Sequence, residues 1–593
     1  MDVVSHPPAA PARAAIGVAV LLVALGAVGY VAMMSGWEQY DDEGYVLMSL
    51  HHFAGGSDLY DTTYSQYGPL FFELIGLPFR ALGVAPGHDA ARILTLVFWL
   101  AASSCVGVLT WRFAGRALSW GVVGAVLSFV VLLPITAEPL HPGGFLVMVM
   151  AALAVVCVMT GESRRYLVAG VLVAALGLTK INIGGLAAFA IVLAETIAYT
   201  PRTAAQRHAR AAVIAVCCAV PLVLLASSAD VPEWRWLGIG VTASLAALAI
   251  VAPRGDGDPV RAIGQLTLGA LGLTAIVLAI IVAAGTSLRG LVDGILLEPL
   301  ALSEAFTVVP EFDLASLLVA LMVLAFVVYV QRSGEPVVPP AVDVIVGLVA
   351  FVALIGDSVL PLDSPFLAPL LAPVVLLAGE REARREGILP VSCLAVFGAL
   401  QAYPVAGSQV AFGTFLTVVP AVLILRRGLA AIVPRPAVAP TAALVVAGAL
   451  FLQQFVPQLA DYRSYEALDT PGARLVRLAP GERDDLRGVL EDLRGCRTVV
   501  SFPGVLSLNL WSEVAPPSQE YAGAWMYLLE MPQQERIVRQ LDNSRAVCLV
   551  QVPELLSFWK RGRPIPDRPL VRWVERAEGP TTRHGPYIVT HVS

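Results

Sequence analysis

Just after the first long apolar run, Trp37-Glu38-Gln39-Tyr40-Asp41-Asp42-Glu43-Gly44-Tyr45 sets a group of acids in an aromatic frame. A carboxylate held at a membrane surface can serve as a general base, taking a proton from a hydroxyl as its oxygen attacks carbon. Asp42 is the candidate base, Asp41 its alternative, and Glu43 stands beside them. The same acids could instead form a solvated turn capping a helix that begins near Gly44. Further on, Tyr64-Ser65-Gln66-Tyr67-Gly68-Pro69-Leu70 runs into a short amphipathic segment, Phe71 to Leu82.

These residues must be positioned by membrane helices. The chain has 593 residues, 57% hydrophobic and 14% charged, with mean hydropathy +0.74, which excludes a soluble globular protein. Apolar runs of about 17–25 residues cross a bilayer as helices, because no water there can satisfy a bare backbone. About 13–15 spans are expected, from 14–34 at the start to 438–456 at the end. Residues 1–457 then form the membrane domain, with a first outer loop over 35–89. Residues 458–593, where charge returns, form a small α/β domain.

Orientation follows the cations. With the N-terminus cytoplasmic, the inner loops hold Arg112 and Arg116, Arg164 and Arg165, Arg202, Arg207 and Arg210, and further arginines up to Arg435. The outer loops hold only Arg80, Arg92, Lys180, Arg235 and Arg289. The acidic loop and the C-terminal domain therefore face the extracytoplasmic side of a plasma membrane. The Ala, Val and Arg bias is that of a high-GC bacterium, an actinobacterium on this reading.

A first span, an outer loop with Asp-Asp-Glu-Gly-Tyr, and then Tyr-Gly-Pro-Leu before an amphipathic segment resemble the GT-C superfamily of integral-membrane glycosyltransferases. The protein O-mannosyltransferases and lipid A aminoarabinose transferases are among them. The resemblance implies a sugar donor linked through phosphate to a polyprenyl lipid, and a glycan, lipid or protein acceptor in the cell envelope. Asp42-Glu43 matches the family's acidic pair, with Asp42 as base; Tyr45 and Tyr67 would shape the pocket. Gly177-Leu178-Thr179-Lys180 resembles a segment whose Lys meets the donor phosphate, although Lys180 could equally be a snorkelling cation. Glu138 and His141 stand where relatives keep a second acid, or in a plain turn.

Residues 285–313 form the longest outer connection between spans, with Glu298, Glu304, Glu311 and Asp313 along it. In the superfamily such loops cover the site, so Arg289 could meet a phosphate; the loop could as well be an interfacial helix. Its acids lack metal-ligand spacing and no metal site is assigned. No cofactor is assigned, a divalent cation at the leaving phosphate being the one candidate. Tyr403 and Gln409, at another outer turn, could line a sugar pocket or pack between helices.

In the C-terminal domain, helices are predicted near 482–494 and 532–542, and strands at 497–502, 546–552, 569–575 and 585–592. Asn509 and Trp511 could bind an acceptor sugar or belong to the core. Cys496 and Cys548 could pair if their strands are neighbours. No phosphate-binding Gly-x-x-x-x-Gly-Lys-Ser/Thr loop is present, which excludes ATP-driven transport of that type. The rival function is a membrane transporter or flippase of lipid-linked glycans, which should carry ionisable groups at mid-bilayer and paired repeats. Neither is evident.

Overall fold

The computed structural model describes residues 10–592 apart from 116, 137–139, 159–163, 253–257, 301–306, 334–340, 343, 347–348, 350–365, 378–386 and 434–437. Among the described residues, ten helices are long and apolar enough to cross a membrane, and three shorter apolar helices accompany them. The protein is a polytopic α-helical membrane protein with a small C-terminal α/β domain. The candidate span 341–357 falls mostly outside the described residues.

The elements that build the site come early. Helix α1 (Ala10–Met33) is followed by two short helices that precede the next membrane-length helix: α2 (Asp42–Ala54) and α3 (Pro69–Leu82). Then come α4 (His88–Phe113), α5 (Leu118–Leu132), α6 (Gly143–Val158), α7 (Arg165–Gly177) and α8 (Ile181–Ala198). The last membrane-length helix, Val438–Ser464, runs on into the tail, whose first strand is β1 (Glu466–Ala467), paired with β2 (Arg477–Leu478). Arg477 donates its N–H to Met34 O and accepts from Gly36 N, both at 2.8 Å, so backbone bonds stitch the tail to the end of α1.

The tail sheet has the order β3-β4-β6-β5, from β3 (Thr498–Phe502), β4 (Val547–Gln551), β5 (Thr581–His584) and β6 (Tyr587–Val592). β3 and β4 are parallel and the other pairs antiparallel. Cys496 and Cys548 are joined in a disulfide, Cα to Cα 5.9 Å, as the neighbouring strands allow. It closes a 52-residue separation, for which chain entropy gives a stabilisation of about 4 kcal/mol.

One predicted strand is a helix. Residues 569–575 lie in Pro569–Arg576, where Leu570, Val571, Trp573 and Val574 are buried. That spacing is one face of a helix, and Pro569 at its first turn has no N–H to lose.

Candidate active site

The three acids of the first loop have three fates, because successive residues on a helix point about 100° apart. Asp41 is the N-cap of α2, in left-handed backbone (φ 57°), and is buried. Its carboxylate accepts from Gly44 N (3.1 Å), Trp37 Nε1 (3.3 Å), Ser507 N (2.7 Å) and Ser507 Oγ (2.5 Å). Burial pushes it up to about 7, against the pull of these donors. Asp42, the first helical residue, lines a cavity of about 260 Å³. Glu43 turns the other way into a buried pair with Arg92, at 2.7 Å and 3.0 Å. Arg92 also donates to Met33 O and Gly36 O.

Asp41 and Glu43, expected beside Asp42, do not line the cavity, and each is held by buried partners. Asp42 alone of the three reaches it.

Lys180 lines the same cavity from the tight turn between α7 and α8. Backbone bonds hold that turn against the first loop, Gly68 N donating to Thr179 O (2.8 Å) and Leu70 N to Leu178 O (3.1 Å). A Cβ at Gly68 would stand 2.1 Å from Leu178 O, so only glycine permits the approach. Pro69 then opens α3, where its missing N–H costs nothing.

Lys180 Nζ donates to Gln409 Oε1 at 2.9 Å, and Gln409 Nε2 lies 3.1 Å from His141 Nε2. Gly143 N donates to His141 Nδ1 (2.9 Å), so the neutral ring carries its proton on Nε2, 2.8 Å from Tyr67 Oη. Burial first, then Lys180, pushes His141 down to about 3, which keeps it neutral. Tyr45 accepts from Gln66 N at 3.2 Å, and burial raises its hydroxyl further out of the range of ionisation. Tyr403 meets Ser227 Oγ at 3.0 Å and packs edge-on against Trp234. Asp42, Tyr45, Tyr67, His141, Lys180, Tyr403 and Gln409 all line one cavity.

Other expectations fare differently. Arg289 is 92% exposed, pairs with Asp293 at 3.5 Å, and does not line the cavity; one turn of helix points it to solvent. Glu138 lies outside the described residues. Asn509 and Trp511 are buried: Asn509 donates to Val499 O and Val514 O, and Trp511 donates to His88 Nδ1. Trp511 sits at the junction between tail and loop and Asn509 is bonded within the tail; neither lines the cavity.

The cavity also takes walls that no local signal marked. Gly294, Ile295 and Leu296 reach it from a π-helical stretch, Asp293–Leu297, which breaks the regular helix ladder. Glu298 follows, its Oε2 buried without a partner among the described residues. Burial, then Asp293, Glu530 and Glu520, push it up to about 7. The tail contributes Ala522 to Ala524, Tyr527, Leu528 and Trp559. Of the His, Cys, Asp and Glu groups described, the one with metal-ligand convergence is Cys496, Cys548 and His591, and its two sulfurs are joined to each other.

No family model and no curated protein matches the chain. Among solved structures it is similar to the oligosaccharyltransferase of Archaeoglobus fulgidus tethered with an acceptor peptide. Identity there is 12% over 97% of this chain and 74% of the other, with a TM-score of 0.43. The same organism's AglB, in complex with an inhibitory peptide and a dolichol-phosphate, gives 12% identity, the same coverage and a TM-score of 0.42. ArnT from Cupriavidus metallidurans gives 16% identity over 97% of this chain and 98% of the other, with a TM-score of 0.38.

Proposed function

We propose that this protein is a GT-C-type glycosyltransferase that moves a sugar from a polyprenyl-phosphate donor to an extracytoplasmic acceptor, with inversion. The observation that carries the reading is that Asp42 and Lys180, 138 positions apart in the chain, line one cavity enclosed by the first loop, the span ends and the tail. A base and a cation in one small, largely apolar space are what displacement of a lipid phosphate requires.

The step is a single displacement. Asp42 takes the proton of the acceptor hydroxyl as its oxygen bonds to the anomeric carbon. The carbon–oxygen bond to the phosphate breaks on the opposite face, and the electron pair leaves with the phosphate. Lys180, held by Gln409, meets the charge that develops there. Tyr45, Tyr67, neutral His141 and Tyr403 shape the sugar's surroundings. The N-terminus is cytoplasmic and the tail extracytoplasmic on this reading, in keeping with the arginine-rich inner loops.

Membranes from cells expressing wild type and Asp42→Asn are assayed for transfer from radiolabelled polyprenyl-phosphate sugars. The variant should lose about 10²–10⁴-fold in rate while folding as wild type does. Full transfer by the variant removes Asp42 as base. Wild type inactive with every such donor favours the transporter.

A further inference from the structure

Two carboxamides line the cavity and have no task in the proposed step: Gln66 from the first loop and Asn182 from the start of α8. They flank one backbone junction. Two residues after Gln66, Gly68 N donates to Thr179 O, and three residues after Thr179 stands Asn182. Lys180 lies between Thr179 and Asn182, so the wall that holds the cation holds both amides as well. Asn182 is the one polar side chain of α8 before Glu195, and it lines the cavity.

Gln66 is fastened toward the base as well. Its N–H donates to Tyr45 Oη at 3.2 Å, and Tyr45 stands three residues after Asp42 in α2, close to one helical turn. The next residue is fixed too: Tyr67 N donates to Ser65 Oγ at 3.1 Å, and Tyr67 Oη lies 2.8 Å from His141 Nε2. Gln66 therefore stands where the helix of the base and the turn of the cation meet. Its carboxamide oxygen is buried without a partner among the described residues. A buried carbonyl oxygen left unpaired is a cost the folded chain carries until a ligand relieves it. The terminal side-chain torsion is soft, so the amide can turn either its oxygen or its NH2 to the cavity.

What two amides can bind follows from their chemistry. A carboxamide offers donors and an acceptor but no charge, which matches hydroxyl groups, since these also do both. Among the described residues, the charged ones that line the cavity are Asp42 and Lys180. The proposed step occupies them with the acceptor's proton and the donor's phosphate. A charged sugar would then enter a largely apolar space with no counter-charge of its own. We propose that Gln66 and Asn182 are specificity residues that hydrogen-bond hydroxyls of the donor sugar, and that this sugar is uncharged. Calling it the sugar that is transferred rests on the glycosyltransferase reading. A site built to bond a hydroxyl rejects the analogue that cannot supply it, which an apolar pocket of the same size does poorly.

Full-length protein in phosphatidylcholine discs is titrated with farnesyl phosphate, and with farnesyl phosphate bearing glucose, mannose, galactose, arabinose, glucuronic acid or glucosamine. At least one neutral sugar should bind more tightly than bare farnesyl phosphate, and the two charged sugars should not. Gln66→Met and Asn182→Leu should each remove about five- to tenfold of that advantage. Bare farnesyl phosphate should bind both variants as it binds wild type, which also certifies that they are folded. Gln66→Asn and Asn182→Gln keep the amide but shift it by one methylene, and should reorder the neutral sugars. An advantage that survives in either apolar variant overturns the role of that residue, and an unchanged order in the amide variants overturns the pair. A charged sugar bound as tightly as the best neutral one overturns the uncharged class, and no advantage for any sugar in wild type overturns both. Transfer assays separate this from the function itself. A lost advantage with no transfer by wild type keeps the pair and rejects the transferase, whereas an unaltered preference with normal transfer does the reverse.

Discussion

Ser507 of the tail donates both its backbone N–H and its hydroxyl to Asp41, the cap of the helix on which Asp42 stands. Trp511 Nε1 can only donate, so His88 Nδ1 accepts from it at 3.2 Å and the ring's other nitrogen carries a proton. That nitrogen lies 2.9 Å from Ser507 Oγ, whose own proton goes to Asp41. A directed chain of hydrogen bonds thus runs from tail to loop and sets the start of α2. The aim of Asp42 depends on the docking of a domain more than 400 residues away in the chain.

Ser507→Ala should leave His88 and Asp41 each short of one buried partner. The expected cost is about 1–3 kcal/mol, read as a lower thermal midpoint of the purified protein. Turnover should fall more than donor KM rises, because Lys180 and its surroundings are untouched. A variant with wild-type stability and turnover would mean that Asp41 does not need the Ser507 hydroxyl, the backbone N–H sufficing.

Arg92 and Glu43 are both buried, so removing one charge should cost far more than removing both. Arg92→Met alone should destabilise by about 3–5 kcal/mol. Glu43→Leu with Arg92→Met should recover part of this and not all, since Met33 O and Gly36 O lose a donor in either case. Additive effects in this double-mutant cycle would show that the pair is not coupled.

Lys180→Gln should raise donor KM by about ten- to a hundredfold, the range expected when a charged hydrogen bond to phosphate is lost. Gln409→Leu removes the oxygen that positions Lys180 and should shift KM in the same direction by less. Kinetics with a series of polyprenyl-phosphate concentrations separate the two. A donor KM that Lys180→Gln leaves unchanged would place the phosphate elsewhere.

Glu298 gives a pH dependence with a definite sign. Its folded-state value of about 7 lies above the ordinary 4.5, so the folded protein holds the proton more tightly than the unfolded chain. Stability contributed by this group is therefore full at low pH and declines as pH rises from about 4.5 to about 7, by on the order of 3 kcal/mol. Glu298→Gln, which keeps the neutral shape, should flatten that part of the profile. Thermal midpoints between pH 5 and pH 8 test it, and an identical slope in the variant would exclude Glu298 as the source.

The membrane helices, the loop acids and the lysine at the turn were legible in the chain because their signals are local. A bilayer demands long apolar runs, and a helix declares its start by a cap and a proline. Tail strands are legible in the same way, except at 569–575, where the apolar residues form one helix face although their short run also suits a strand. Arg289 shows the same limit: a place in a loop does not say which way a helix turns a side chain, and here it faces solvent beside Asp293.

The amino-acid order by itself determined that this is a multispanning protein with acids gathered in its first loop and a small α/β region at its C-terminal end. Only the tertiary structure decided which of three adjacent acids faces the cavity, that Lys180 meets Gln409, and that the tail supplies a wall. Local patterns follow from hydropathy and backbone geometry over a few residues. The site is assembled from contacts between residues up to 466 positions apart, and their pairing depends on how the helices close on one another.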